Sequence, residues 1–216
     1  MSQIISIEGN IGSGKSTLLT SIKNSYNNDP NIIFLQEPVE EWESIKDNDG
    51  VTILKKFYEN QKKYSFAFQM MAYISRLNLL KETIEKYPNA IIITERCLNT
   101  DRYVFAKMLY DSGKMEDIEY KIYSKWFDSF STIQDCQKTI YLKTNPYICM
   151  ERICKREREG ESNIPLEYLI DCDKYHDEMI NSINKDKLLV INSNVDTNED
   201  KNINNIWIEN IRKFIY

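Results

Sequence analysis

Histidine is nearly absent from this chain: His176 is the only one in 216 residues. The five cysteines (Cys97, Cys136, Cys149, Cys154, Cys172) are odd in number and form no CxxC pair. These shortages exclude an ordinary zinc site and a disulfide framework, so the thiols read as reduced and mostly buried. No apolar run approaches the roughly 18–20 residues needed to cross a bilayer, so no membrane partner is expected. Basic charge is not in excess either. Lys and Arg number 28 against 33 Asp and Glu, a net charge of −5, which argues against a nucleic-acid partner. A phosphorylated ligand would need basic residues gathered locally. The start, Met1-Ser2-Gln3-Ile4, enters a strand pattern at once, so no targeting peptide is expected and the expected address is cytoplasmic.

What is present reads as α/β. Hydrophobic residues make up 42% and charged residues 28%, and the length suits one domain spanning 1–216. Short β-branched runs at 4–7, 32–35, 90–94, 139–142 and 188–191 predict five strands. Helical patterns occupy 15–26, 61–87, 100–111, 115–130, a segment opened by Pro146, a segment opened by Pro165, and 206–214. The polar stretch 193–205 reads as a surface loop. Strands alternating with helices imply a parallel sheet covered on both faces.

Gly9-Asn10-Ile11-Gly12-Ser13-Gly14-Lys15-Ser16 fills every fixed position of G-x-x-x-x-G-K-[ST], between a strand and a helix. Glycines let backbone N–H groups turn inward around phosphate oxygens, and the helix amino terminus adds positive potential. Lys15 would reach the outer phosphates of ATP, and Ser16 would hold Mg²⁺. A regulatory GTPase would need Asn-Lys-x-Asp, but Lys187 ends Asn184-Lys185-Asp186-Lys187. Two further strand ends carry chemistry: Glu37 after the second, and Glu95-Arg96 after the third. Carboxyl ends of parallel strands share one crevice. Glu95 suits the metal there, and Arg96 the transferring phosphoryl group.

These features, with Glu37-Pro38-Val39, Trp42, Phe66-Ala67-Phe68-Gln69, Asp101-Arg102-Tyr103 and Ile164-Pro165-Leu166-Glu167-Tyr168, resemble the deoxynucleoside kinases, of the deoxycytidine and deoxyguanosine kinase type. The resemblance implies a P-loop kinase fold with a five-stranded parallel sheet and an arginine-rich lid over about 152–164. It implies phosphoryl transfer from Mg²⁺–ATP, or another nucleoside triphosphate, to the 5′-hydroxyl of a deoxynucleoside, in a homodimer. Glu37 would be the base, with Arg96 and Lys15 assisting, while Ser16 and Glu95 manage the metal. The P-loop, Thr17 and the lid residues Arg152, Arg156 and Arg158 would bind ATP. Gln69 would meet the base, Phe68 and Phe105 would stack on it, and Arg76 would pair with Asp101. Tyr58 and Glu161 would hold the sugar 3′-hydroxyl, with Ile11, Trp42, Leu54 and Ala72 lining the pocket. The Arg76–Asp101 pair implies deoxycytidine or a purine deoxynucleoside rather than thymidine. Near Asn198–Lys201 the family places an aromatic residue against adenine, and this chain has Lys201 there. Two alternatives share the P-loop: a thymidylate-type monophosphate kinase, and a nucleotide-binding protein without catalysis.

Overall fold

The computed structural model describes residues 2–26, 29–130, 136–156, 158, 160–195 and 200–216. Five parallel strands form one sheet in the order β2-β3-β1-β4-β5: β1 (Gln3–Gly9), β2 (Ile32–Leu35), β3 (Ile91–Glu95), β4 (Lys138–Lys143) and β5 (Leu188–Asn192). All five expected strands are present.

The strand β1 lies at the centre, and alternation along it feeds two cores. Ile5 and Ile7 pack with Leu18, Leu19 and Ile22 of α1 (Lys15–Ser25) and with Ile211 and Ile215 at the chain's end. On the other face, Ile4 joins Ile92 and Tyr141 under the remaining helices. These include α2 (Val39–Ser44), α3 (Ile53–Glu59) and the long α4 (Gln61–Lys86), whose amino terminus is capped by Asn60. After β3 come α5 (Leu98–Thr100), a π-helical stretch (Asp101–Ala106), α6 (Lys107–Asp111) and α7 (Asp117–Ser129). Then α8 (Pro146–Arg156) follows β4, α9 (Leu166–Asn181) precedes β5, and α10 (Lys201–Ile215) ends the chain. Because β2 and β3 lie on one side of β1 and β4 and β5 on the other, the carboxyl ends of β1, β2 and β3 open onto one crevice.

Three local expectations need correction. The closing helix begins at Lys201, not 206, because the Asp200 carboxylate accepts the Asn202 and Ile203 N–H groups and starts it early. The helix expected at 100–111 starts at Leu98 and is π-wound across Asp101–Ala106. Pro165 stands at the cap of α9 rather than within its first turn.

Candidate active site

The P-loop wraps the start of α1, with Gly14 in the left-handed region at the cap (φ 97°). Gly12 has φ 77°, and a Cβ there would lie 2.5 Å from the Cys149 carbonyl oxygen of α8. Only glycine fits that approach. Lys15 is buried and donates to the Asn10 carbonyl at 2.7 Å. Burial first, and then the neighbouring Arg96 charge, lower its pKa to about 8. The Ser16 hydroxyl donates to Glu95 Oε1 at 2.7 Å, which sets two hard oxygen donors side by side at the loop's mouth.

Glu37 arrives from the end of β2 and meets two guanidinium groups. Arg96 Nη1 donates to Oε1 and Oε2 at 2.6 and 2.8 Å, and Arg76 Nη2 donates to Oε1 at 2.8 Å. Burial pushes the Glu37 pKa up, but Arg96, then Arg76 and Lys15, outweigh it and hold the group well below the carboxylate range. Arg96 is the one non-glycine residue with positive φ (61°) among the described residues. Such backbone costs on the order of 1–3 kcal/mol and persists only where the surroundings fix it. Here its N–H donates to the Ile7 carbonyl at 3.0 Å, and its guanidinium sits 5.0 Å over the Phe105 ring.

Arg76, on α4, is spent entirely inside the protein. Its Nε donates to Asp101 at 2.9 Å, its Nη1 to the Glu95 carbonyl at 2.9 Å, and its Nη2 to Glu37. Lys15, Arg76 and Arg96 thereby stand against Glu37, Glu95 and Asp101, three cations and three carboxylates.

One cleft of about 790 Å³ joins the P-loop to this charged group. Beyond Glu37 and Arg76 its wall is aromatic: Phe68 stacks on Phe57 at 4.5 Å and meets Trp42 edge-on at 5.7 Å. Trp42 is anchored through its indole N–H to Ser75 at 2.8 Å. Gln69 is buried, and its Oε1 has no hydrogen-bond partner within the described protein. A buried amide oxygen of this kind is costly unless a ligand donates to it. Tyr58 lines the same cleft, and burial followed by the nearby Glu161 raises its phenol pKa.

The arginines of the expected lid, Arg152, Arg156 and Arg158, line the cleft. Arg152 donates to the Ser13 and Val195 carbonyls at 3.2 and 2.8 Å. Arg156 and Arg158 both donate to the buried Glu161 carboxylate, Arg158 at 3.2 Å. Gly160 (φ 86°) brings this turn against α3, where a Cβ would stand 3.1 Å from Lys55 Cα. Within the lid, Glu157 and Glu159 lie outside the described residues, as do Asn198 and Glu199 of the expected adenine loop.

Of the site residues expected from sequence, Ile11, Gly12, Gly14, Lys15, Ser16, Thr17, Glu37, Trp42, Leu54, Tyr58, Phe68, Gln69, Ala72, Arg76, Glu95, Arg96, Asp101, Phe105, Arg152, Arg156, Arg158 and Glu161 all line the cleft. Gly9, Asn10 and Ser13 do not. Asn10 instead donates to the Leu169 carbonyl at 2.8 Å, and the Ser13 carbonyl accepts from Thr144, Arg152 and Ser193. Sequence reasoning missed Phe57, Lys155, Tyr168, Asn204 and Trp207 along the wall. Phe57 and Tyr168 adjoin expected residues, whereas Asn204 and Trp207 come from the part of α10 and its approach read as loop and closing helix.

A family model described as deoxynucleoside kinase matches residues 5–216. The chain is 34% identical over 219 residues to a probable deoxycytidine kinase of fowlpox virus, covering 98% of this chain and 87% of that protein. It is 30% identical over 240 residues to deoxycytidine kinase 1 of Xenopus laevis, covering 98% and 89%. It is 32% identical over 179 residues to the mitochondrial thymidine kinase 2 of Homo sapiens, covering 82% and 64%.

Proposed function

Because this chain belongs to the deoxynucleoside kinase family, we propose that its cleft carries the γ-phosphate of ATP, or another nucleoside triphosphate, to the 5′-hydroxyl of deoxycytidine or a purine deoxynucleoside, with Glu37 as the base. We read residues 1–216 as one kinase domain. The observation that carries this reading is the Glu37–Arg96–Arg76 arrangement facing the P-loop.

A carboxylate offers about four lone-pair positions. Arg96 and Arg76 occupy three, two on Oε1 and one on Oε2. The remaining one, on Oε2, suits an alcohol O–H. With its pKa held low, Glu37 is a weak base, which a loose phosphoryl-transfer transition state tolerates because little proton transfer is needed before the P–O bond breaks. The balance of three cations and three carboxylates favours an uncharged acceptor over one that already bears phosphate. At the donor end, Arg152, Arg156 and Arg158 supply the positive charge that the chain lacks overall.

Mg²⁺ prefers one or two carboxylates together with substrate phosphates, and the Ser16–Glu95 pair fits that donor set. When bound, the ion would neutralise charge on the phosphates, and Ser16 and Glu95 would orient it. For the acceptor, the Arg76–Asp101 pair lines the cleft with charged groups, a wall that suits a polar base edge better than a 5-methyl group. The Gln69 amide is the free group there for reading a base edge.

No helix among the described residues is long and apolar enough to cross a membrane, and a cytoplasmic address completes the reading. A homodimer does too. Ile118, Ile122 and Trp126 follow one stripe of α7 and are 61%, 40% and 52% exposed. Ile74 on the adjoining α4 is also exposed, and such a cluster suits a second copy better than water.

Glu37→Gln keeps the shape and removes the base. We expect donor binding to persist while turnover falls by about 10²–10⁴-fold. Unchanged turnover would remove Glu37 from the base role. Initial rates with the four deoxynucleosides test the acceptor, and a preference for thymidine would overturn the role given to Arg76–Asp101.

A further inference from the structure

Glu8 has no part in the site just described, yet it is fully buried in the central strand, one residue before the P-loop. A carboxyl group there is costly unless something uses it. Its Oε2 accepts a 2.6 Å hydrogen bond from the Thr100 hydroxyl at the end of α5. Thr100 in turn closes the turn that carries Arg96. Its N–H donates to the Cys97 carbonyl at 3.1 Å, and its hydroxyl lies 3.6 Å from the Cys97 thiol. Cys136, burial and Glu8 all push the Cys97 pKa up.

The turn from β3 into α5 is therefore tied to β1 at two successive residues. The Ile7 carbonyl holds the Arg96 N–H, and the Glu8 side chain holds Thr100. The first of these ties falls on the positive-φ residue itself, whose guanidinium grips Glu37. Gly9, the next residue of β1, begins the phosphate loop. One pair of adjacent residues thus sets the loop for the donor and the arginine for the acceptor at a fixed separation.

We propose that Glu8, acting through Thr100, is a positioning residue that holds Arg96 in its left-handed turn at the working distance from the P-loop. The inference takes from the proposed function only that phosphoryl transfer depends on Arg96; it does not require Glu37 to be the base.

The test is a kinetic cycle on the full chain, with thermal melting as the check on folding. Thr100→Val keeps the shape and deletes the donor, Thr100→Ser keeps the donor, and Glu8→Met deletes the acceptor at similar length. Thr100→Val and Glu8→Met should each lower kcat by roughly 10- to 100-fold, as a small misplacement of a reacting arrangement does. The double variant should be no worse than either, and Thr100→Ser should stay within about threefold of the parent. On an Arg96→Ala background, Thr100→Val should change kcat little further. Losses of equal factor with and without Arg96, or Thr100→Val at parental kcat, would overturn the proposal. A loss in Thr100→Ser as large as in Thr100→Val would also overturn it, because bulk and not the hydrogen bond would then matter. Failure of the base assignment shows separately, in Glu37→Gln.

Discussion

Lys15 and Glu37 both lie below their ordinary pKa values, Lys15 because of burial and then the Arg96 charge, Glu37 because Arg96, then Arg76 and Lys15, outweigh burial. Lys15 in the free protein gives up its proton near pH 8 rather than 10.5. If Lys15 meets the donor phosphates as proposed, the free enzyme loses that charge above this point, and kcat/KM for ATP should fall about tenfold per pH unit. Once phosphates are bound, their charge favours the ammonium, and kcat should hold to higher pH. A pH series of both parameters checks this, and parallel losses in kcat and kcat/KM would exclude it. The Glu37 pKa is lowered too, which in a carboxyl group favours the charged form. Its carboxylate stays ionised through the whole neutral range, so it should put no acid limb on the profile. Arg96→Ala removes the largest opposing charge and should raise the Glu37 pKa, bringing a limb into view.

At the scale of elements, α9 carries His176, which is completely buried. Its Nδ1 pairs with the Cys172 carbonyl at 2.7 Å, its Nε2 has no partner within the described protein, and its ring backs onto Phe105. Burial, then the Arg96 charge, lower its pKa from 6.5 to about 3. Between those values the unfolded chain binds the proton and the folded chain does not, so stability drops as pH falls. From pH 7 to pH 5 this group alone should cost about 2 kcal/mol. Denaturant unfolding of His176→Asn should show that much less change over the same interval.

Elements were legible in sequence where the pattern is local. The P-loop glycines, the β-branched strands and the acidic residues at the ends of β2 and β3 all carry their signal within a few neighbours. The start of α10 was hidden because Asn-rich sequence has weak helix propensity, and one Asp200 cap decides it. The π-wound stretch was hidden because no residue preference in Asp101–Ala106 marks it. Glu8 fell between the strand expected at 4–7 and the P-loop with no role given to it, and its contact with Thr100 spans 92 residues. The pairing of Arg76 with Glu37 is likewise a product of the assembled sheet and α4.

At the scale of the whole molecule, three strand ends and α4 converge on one cleft while an apolar stripe faces outward on α7. Trp126→Glu with Ile122→Glu should convert a dimer to monomer in light scattering without changing the fold by circular dichroism. A parent that is monomeric at micromolar concentration would overturn the dimer.

The three bonds of Arg76 bear on how such an enzyme can change over evolutionary time. Its guanidinium bonds at once to Asp101, at the proposed base end, and to Glu37, the proposed proton acceptor. No single substitution at Arg76 can retune which base is accepted while leaving turnover alone. A lineage drifting toward another nucleoside would need compensating changes at Asp101, and a new partner for Glu37, before Arg76 could be released. Neighbouring specificities in this family should therefore be separated by epistatic valleys rather than by smooth single steps.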